Sequence, residues 1–250
     1  MKQSIIAILA RLGYRIEGIR YTPHHLLEPE RLRTLQFDDV ICRHMIERGQ
    51  DLIFIQVGAY DGISTDPLRK YIERCGWRGV MLEPQPEPAR ALRALYNDNK
   101  GIVVWEAALD RQRGVRSLYT VEAGDIPKWA GSIASFNRAH ILKHESLVPG
   151  LRDMVRERTV DCITFDDVLG HLPALRLDLL QIDAEGADGY ILSLFPFDRI
   201  KPAIIHWESK NLSKAQKEEA LDLLCSHGYL IAPSGQEDML AVLKKEMAGK

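Results

Sequence analysis

The sequence predicts a doubly wound α/β protein with a mostly parallel sheet, and three observations support this fold class. Apolar runs of strand length alternate with helical segments in the order β-α-β-α-β over residues 52–106. The first run, residues 52–57, ends in a turn that contains Gly58 and Gly62. Glu83 ends the next apolar run, at about the 20-residue spacing that separates the glycine turn from the ribose-binding acid in nucleotide-binding units.

The composition narrows the class of protein. The chain has 250 residues, of which 46% are hydrophobic and 27% charged, and its formal net charge is -2. These values fit one globular domain with additions, and they give no basic surface of the kind that nucleic-acid binding requires. The four cysteines, Cys42, Cys75, Cys162 and Cys225, are scattered without C-x-x-C spacing. We therefore expect reduced, mostly buried thiols in a cytoplasmic protein.

Residues 1–50 are interpreted as an N-terminal helical extension of a domain that covers residues 51–250. Residues 1–11 form an apolar stretch that is too short for a secretory signal and is interrupted by Arg11, so they predict a short amphipathic helix. Such a helix could rest on the inner face of a membrane. Apolar residues at helical spacing predict a second helix over residues 35–48, which Gly49 ends. No apolar run is long enough for a transmembrane segment.

Caps, periodicity and turn residues predict the remaining elements. Asp66 as cap and Pro67 at the first position predict a helix that runs to residue 74. Thr164 and Ser213 are expected to cap two further helices. The other predicted elements are a helix over 88–97, strands over 102–106, 115–121 and 177–182, a strand that begins over 203–205 and ends in His206-Trp207-Glu208, a helix over 214–226, and a final antiparallel pair over 229–232 and 239–243. Residues 124–155 do not continue this alternation of strands and helices, and they are interpreted as an inserted lid or substrate loop.

Polar residues or glycines follow five of the predicted parallel strands. They are Gly58 and Asp61, Glu83, Ala107, Asp183 and Glu185, and finally His206 and Glu208. In an open α/β sheet, ligands bind beyond the carboxyl ends of the strands. A single acid at a strand end is usually a cap or a turn former. Polar residues or glycines at five strand ends that share one edge of the sheet instead predict a functional site along that edge, here called the rim.

The glycine turn limits the kind of nucleotide that this rim can bind. It contains neither a G-x-x-x-x-G-K-[ST] phosphate loop nor the G-x-G-x-x-G pattern that brings a backbone close to a pyrophosphate. A nucleoside ligand without a phosphate chain, such as S-adenosylmethionine, fits better. Gly58 would let the methionine part approach, Glu83 would accept both ribose hydroxyls, and Ala107 would flank the adenine. An NAD-dependent dehydrogenase and a non-catalytic nucleoside-binding module remain as alternatives.

Several ordered motifs resemble the FkbM family of S-adenosylmethionine-dependent methyltransferases. They are Gln56-Val57-Gly58-Ala59-Tyr60-Asp61-Gly62, Gly79-Val80-Met81-Leu82-Glu83-Pro84, Glu106-Ala107-Ala108-Leu109, Gly131-Ser132-Ile133-Ala134-Ser135-Phe136, Thr159-Val160-Asp161-Cys162-Ile163-Thr164 and Leu180-Gln181-Ile182-Asp183-Ala184-Glu185-Gly186. The likeness covers roughly residues 50 to 210. Gln56 stands where the family more often has an acid, and Gln181 where a lysine is common.

The resemblance implies a Rossmann-like class I methyltransferase fold, with a mostly parallel seven-stranded sheet, a terminal antiparallel strand and an inserted lid segment. It also implies methylation of a hydroxyl group, either on a sugar in a polysaccharide or glycoconjugate or on a polyketide-type or other small natural product. The expected partners are a small-molecule or glycan acceptor and no nucleic acid, and a homo-oligomer is left open.

Three sets of residues are expected to bind the cofactor, catalyse the transfer and contact the acceptor. The residues expected to bind S-adenosylmethionine are Gln56, Gly58, Ala59, Tyr60, Asp61, Gly62, Glu83, Pro84, Ala107 and Asp183. The candidates for catalysis are Asp183, Glu185, His206 and Glu208, because methyl transfer to oxygen needs a base or a metal to make the hydroxyl nucleophilic. Ser132, Ser135 and His140 are expected to contact the acceptor. The acids Asp183, Glu185 and Glu208 could also hold Mg²⁺, which prefers oxygen ligands.

Overall fold

The computed structural model describes residues 35–122, 128–172 and 176–244. The helix expected over residues 1–11 lies outside these ranges. The strands are β1 Ile53–Val57, β2 Arg78–Leu82, β3 Ile102–Trp105, β4 Ala108–Leu109, β5 Gly114–Val121, β6 Ala134–Ser135, β7 Val155–Ile163, β8 Leu179–Ile182, β9 Ile204–Glu208, β10 Tyr229–Ser234 and β11 Asp238–Leu243. The helices are α1 Phe37–Arg48, α2 Arg69–Cys75, α3 Pro86–Leu95, α4 Lys128–Ser132, α5 Arg138–Leu142, α6 Leu151–Met154, α7 Phe165–Leu169, α8 Asp188–Leu194 and α9 Lys214–Ser226.

Seven strands form the main sheet, in the order β10-β11-β9-β8-β1-β2-β3. Pairing is parallel from β9 to β3, and only β11 runs antiparallel to its neighbours β9 and β10. The predicted α/β class, the mostly parallel sheet and the terminal antiparallel strand are confirmed, and β11, the last strand of the sequence, lies between β9 and β10. The strand order reverses at β1, which pairs with β2 on one side and β8 on the other. Such a reversal opens the crevice in which doubly wound folds bind ligands.

Both faces of the main sheet are covered, which explains why its central strands read as continuous apolar runs. All five residues of β1 are buried. Ile55 and Val57 point into a core cluster that includes Phe165 and Ile191 from α7 and α8. Phe54 points to the other face, into a cluster that includes residues of α1, α2 and α3. The main sheet is thus held between two apolar layers, and its rigid strands fix the loops at their carboxyl ends.

A second, four-stranded sheet lies beside the main one, and the sequence analysis did not predict it. Its order is β4-β7-β5-β6, and β5 and β7 pair antiparallel over eight residues of each strand. The insertion contributes β6 together with α4, α5 and α6. The second sheet also uses strands on both sides of the insertion. Its own apolar cluster includes Leu118, Val160 and Cys162.

Several predicted boundaries differ from the structure. The helix expected from Asp66 begins only at Arg69, although the Asp66 carboxylate accepts a hydrogen bond from the Leu68 amide, as a capping side chain does. The helix expected over 88–97 begins at Pro86, where proline suits the first helical position. The capping boxes at Thr164 and Ser213 are confirmed.

Two expectations from composition can also be compared with the described residues. None of the four cysteines, all of which lie in the described ranges, forms a disulfide bond, and the expectation that most of them are buried is wrong, since only Cys162 is buried. Within the described ranges, no helix combines the length and apolar character needed to cross a bilayer.

Candidate active site

A cavity of about 490 Å³ lies at the carboxyl ends of β1, β2 and β8, next to the point where the strand order reverses. Its volume falls within the range of roughly 300–1,000 Å³ that is usual for small-molecule sites. The second sheet and the loops around it close one side of the cavity with Ala108, Leu118, Ser135 and Phe136. The main sheet therefore forms the floor of the cavity. The inserted segment over residues 124–155 forms part of its wall, through Ser135 and Phe136.

The turn after β1 requires glycine at its first position. Gly58 has φ +78°, and a Cβ atom at this residue would lie 1.8 Å from the carbonyl oxygen of Asp183. The amides of Gly58 and Ala59 both donate to the Leu82 carbonyl, at 2.9 and 3.1 Å. These contacts draw the ends of β1, β2 and β8 together, so that residues from all three strands line one cavity.

Glu83 is held by backbone amides from both sides. Its Oε2 accepts a hydrogen bond of 2.9 Å from the Tyr60 amide, and its Oε1 accepts one of 2.8 Å from the Gln85 amide. Burial raises the pKa of this carboxyl to about 7, despite these two hydrogen bonds. The Gln85 side chain also donates to this carboxylate, and the acceptor capacity that remains is directed to the cavity, which Glu83 lines.

Eight of the ten residues expected to bind the cofactor line this cavity. They are Gln56, Gly58, Ala59, Tyr60, Glu83, Pro84, Ala107 and Asp183. The carboxylate of Asp61 instead accepts hydrogen bonds from the amides of Ile63 and Ser64, at 2.9 and 2.7 Å, and stabilises its own loop. Gly62 packs against α3, since a Cβ atom there would lie 2.6 Å from a methyl group of Leu92. Asp61 and Gly62 therefore shape the loop and do not line the cavity.

A group of acids lies at the end of β8. Asp183 is accessible through the cavity but lies deep among protein atoms. Burial and the neighbouring carboxylates of Glu208, Asp188 and Glu185 raise its pKa to about 8. Glu185 also lines the cavity and has an unusual positive φ of +47°. At pH 7, a carboxyl with a pKa near 8 exchanges its proton readily, which suits a general acid or base.

Two residues that the sequence analysis did not select organise this loop. Asp188, fully buried at the start of α8, accepts hydrogen bonds from the amides of Ala184 and Gly186 at 3.4 and 3.2 Å. The side-chain amide of Asn211 donates to Glu208 at 2.7 Å and to Glu185 at 3.3 Å. Asp188 resembled an ordinary helix-start residue and Asn211 an ordinary loop residue, so no local signal marked either.

His206 and Glu208 belong to β9, the strand that the sequence predicts to begin over 203–205 and to end in His206-Trp207-Glu208. The His206 ring lies outside the cavity wall, and its Nδ1 is 2.8 Å from the side-chain oxygen of Gln181. Burial lowers the pKa of His206 to about 4, which leaves the imidazole neutral. Glu208 also stands behind the wall, where Lys210 and Asn211 bind its carboxylate. Of the four catalytic candidates, only Asp183 and Glu185 face the cavity.

The three residues expected to contact the acceptor divide in a similar way. Ser132 and Ser135 line the cavity wall. His140 is buried behind Glu185, with 3.9 Å between its Nε2 and the carboxylate Oε2. Among the described residues, no group of three or more His, Cys, Asp or Glu side chains is arranged to hold a metal ion. The acids after β8 and β9 thus show no assembled Mg²⁺ site.

Comparisons with known proteins agree with a methyltransferase. A model of the methyltransferase FkbM domain matches residues 56–231. No curated protein matches the chain. Among solved structures, the methyltransferase FkbM from Methylobacillus flagellatus KT is 15% identical with a TM-score of 0.46, and the match covers 80% of this chain and 47% of that one. This chain therefore spans about half the length of that protein.

Two further solved structures also match this chain. Precorrin-6y C5,15-methyltransferase from Geobacter metallireducens GS-15 is 13% identical, with a TM-score of 0.41 and coverage of 87% of this chain and 96% of that one. Fibrillarin from Aeropyrum pernix, whose structure contains natively bound S-adenosyl-L-methionine, is 11% identical, with a TM-score of 0.38 and coverage of 92% and 85%.

Proposed function

This chain belongs to the FkbM methyltransferase family, and we propose that it transfers a methyl group from S-adenosylmethionine to a hydroxyl group. The proposed acceptor is a sugar in a polysaccharide or glycoconjugate. One observation carries the cofactor assignment. Glu83, at the end of β2, is fixed by two backbone amides and keeps free acceptor capacity towards the cavity.

The residues around the cavity fit S-adenosylmethionine. The two oxygens of Glu83 match the paired hydroxyls of a ribose, and Gly58 leaves room where a Cβ atom would collide with Asp183. Pro84 and Ala107 offer small apolar surfaces at the neighbouring strand ends, suited to the adenine ring. When bound, the cofactor supplies an electrophilic methyl group on a sulfonium centre. The chain's own task is to hold the acceptor in line with that group and to exclude water.

We assign the proton transfer to the carboxyl of Asp183. It lies at the end of β8 inside the cavity, and its raised pKa keeps it close to the ionisation point at neutral pH. The carboxylate form takes the proton of the acceptor hydroxyl at an Oδ atom. Glu185 binds a neighbouring hydroxyl, and its orientation depends on the hydrogen bond from Asn211. Glu208 acts from behind the wall by keeping the pKa of Asp183 high.

The polar wall supports a sugar as the acceptor. Ser132 and Ser135 present hydroxyl groups on the lid side, opposite the carboxylates of Asp183 and Glu185 at the end of β8. A polyhydroxylated acceptor can form hydrogen bonds with such hydroxyl and carboxyl groups, which an apolar ring cannot. Phe136 and Leu118, on the same wall, favour a polyketide-type acceptor as the second candidate. The cysteines of the described residues form no disulfide bond, which fits the cytoplasm as the proposed compartment.

Calorimetry with the purified protein tests the cofactor. We expect binding of S-adenosylmethionine and S-adenosylhomocysteine and no binding of NAD, whereas binding of NAD alone would refute the proposal. Transfer of a labelled methyl group to glycan fractions and to phenolic natural products then separates the two acceptor classes. Asp183→Asn should lower kcat at least about 100-fold, the usual scale for a general base, and Asp198→Asn is the control. Asp198 is an exposed acid outside the cavity.

A further inference from the structure

A second cavity of about 410 Å³ lies beside the first one, between the start of α3 and the strands β5 and β7 of the second sheet. Its volume also falls within the usual range for small-molecule sites. Three residues, Tyr60, Gln85 and Leu118, line both cavities, so the two spaces share a boundary. The proposed methyl transfer uses only the first cavity, which leaves the second without a role.

A weak contact spans the boundary between the two cavities. The side-chain Nε2 of Gln85, just before α3, lies 3.5 Å from the carbonyl oxygen of Ser132 in α4, at the outer limit of a hydrogen bond. Tyr60 belongs to the glycine turn and Leu118 to β5, so the boundary joins the loops of the main sheet to the second sheet. A contact of this length breaks at little cost, and a ligand held in the first cavity can therefore extend into the second.

Opposite charges balance around the second cavity. Glu87 and Glu122 line it together with Arg158, and Arg158 Nε donates to Glu122 Oε1 at 2.6 Å. Glu87 also favours the charged form of Arg158, after the stronger effect of Glu122. The hydrogen bond from Arg158 lowers the pKa of Glu122, and the charge of Arg156 adds to this effect. Two arginines thus balance two acids, so the cavity suits an uncharged ligand better than an anion or a cation.

The lining of the second cavity combines polar groups that can bind hydroxyls with small apolar surfaces. Thr120 is 4% exposed, and its hydroxyl donates to Glu122 at 3.3 Å, which leaves its oxygen able to accept a hydrogen bond. Arg158 uses its Nε–H for Glu122, and a guanidinium has further N–H donors. Pro86 and Val160 add apolar surface. A sugar unit matches this lining, because its hydroxyls both donate and accept and its C–H faces pack on apolar surface.

We propose that the second cavity binds the sugar unit next to the one that is methylated. This inference rests on the proposed function and deepens it, because the acceptor is then an oligosaccharide or polysaccharide chain and not a free monosaccharide. The unit that reacts lies in the first cavity against Asp183, and the chain leaves that cavity past Gln85 and Tyr60. An apolar ring in the second cavity could not form hydrogen bonds with Thr120 and Arg158, so this cavity favours the glycan over the polyketide-type acceptor.

Methyl-transfer kinetics with acceptors of different length test this inference. The acceptors are the monosaccharide, disaccharide and trisaccharide released from the glycan fraction that takes up the labelled methyl group. With the wild-type protein, kcat/KM should be at least about tenfold higher for the disaccharide than for the monosaccharide. A tenfold gain corresponds to about 1.4 kcal/mol, the scale of one hydrogen bond to a charged group. The trisaccharide should stay within about twofold of the disaccharide, because its third unit reaches beyond the second cavity.

Two variants assign the gain to the second cavity. Thr120→Val keeps the shape of the side chain but removes its hydroxyl, and Arg158→Met keeps an apolar stem but removes the guanidinium. Each should lower kcat/KM for the disaccharide at least about fivefold and leave that for the monosaccharide within about twofold. Thr159→Val, which changes an exposed threonine on β7 outside both cavities, is the matched control and should change neither value. The affinity for S-adenosylhomocysteine, measured by calorimetry, should stay at the wild-type level in all three variants and thereby report an intact first cavity.

The possible outcomes separate this inference from the proposed function. Equal values of kcat/KM for the monosaccharide and the disaccharide in the wild-type protein would overturn the inference. Equal losses for both acceptors in Thr120→Val and Arg158→Met would overturn it as well, because they would indicate a general effect on the fold. Absence of methyl transfer to every glycan fraction would instead refute the proposed sugar acceptor, and absence of S-adenosylhomocysteine binding would refute the proposed cofactor.

Discussion

Replacing Gly58 by alanine tests the close approach on which the whole cavity depends. The new Cβ atom would lie 1.8 Å from the Asp183 carbonyl oxygen and 2.8 Å from its carbonyl carbon, and φ would remain at +78°. The left-handed conformation costs a non-glycine residue about 1–2 kcal/mol, and the overlap adds about 1–3 kcal/mol because β1 and β8 must separate. We therefore expect a loss of about 3 kcal/mol in the free energy of unfolding, measured by urea denaturation.

Gly76 offers a matched control for this experiment. It follows α2 with φ +67°, close to that of Gly58, but a Cβ atom there would meet nothing within 4 Å. Gly76→Ala should therefore cost only the conformational part, about 1 kcal/mol, and leave the affinity for S-adenosylhomocysteine unchanged. Gly58→Ala should also weaken that affinity at least tenfold. If the two variants lose equal stability, the strands do not approach as closely as the structure indicates.

Three further predictions follow from buried carboxyl groups. The first uses calorimetry with 5′-methylthioadenosine. The affinity of the wild-type protein should fall as the pH drops below about 7, by up to about tenfold per pH unit, because Glu83 becomes protonated. Glu83→Gln should bind this ligand weakly at pH 8, and its affinity should no longer depend on pH in this range. Asp183→Asn should raise the stability above pH 8 while lowering kcat at least about 100-fold, because it removes a charge that the neighbouring carboxylates repel. The gain should stay below about 1 kcal/mol, since solvent in the cavity screens this accessible group, and equal melting temperatures would contradict the prediction. Asp178→Asn should cost about 2 kcal/mol without changing cofactor affinity, since Asp178 accepts bonds from the Ile53 amide and Arg176 away from the cavity. Burial opposes ionisation of Asp178, but hydrogen bonds from His44, Ile53 and Arg176 lower its pKa overall. Its contribution to the free energy of unfolding should therefore be present near neutrality and be lost in acid-denaturation curves as the pH falls through that lowered pKa.

Features encoded by neighbouring residues could be predicted from the sequence. The apolar run of β1, the glycine that ends it and the acid that ends β2 all follow from short-range pattern, and they place Gly58 and Glu83 at the cavity. The caps at Thr164 and Ser213 follow from the same kind of signal. In each case the evidence lies within a few residues of the element concerned.

The second sheet could not be predicted in this way, because its main pairing joins strands that are far apart in the sequence. Val115 pairs with Asp161 and Val121 with Val155. Strand pairing of this kind depends on tertiary packing, and the burial of β5 does not alternate clearly, since its first four residues are exposed. The contact between Asp66 and Gln56 has the same origin. The acid-proline pair predicted a cap, and Asp66 does accept the Leu68 amide, but its further partner, the Gln56 side chain, comes close only through the fold.

Backbone strain gives independent support for the functional importance of the cavity. Among the described residues, three non-glycine residues have positive φ, namely Tyr60, Thr65 and Glu185, and all three line the cavity. Each such conformation costs about 1–3 kcal/mol and persists only where the surrounding structure enforces it. The same cavity contains Glu83 and Asp183, whose ionisation burial opposes. Folding alone gains nothing from concentrating strain and opposed charges in one place, so their coincidence indicates a site maintained for ligand binding and chemistry.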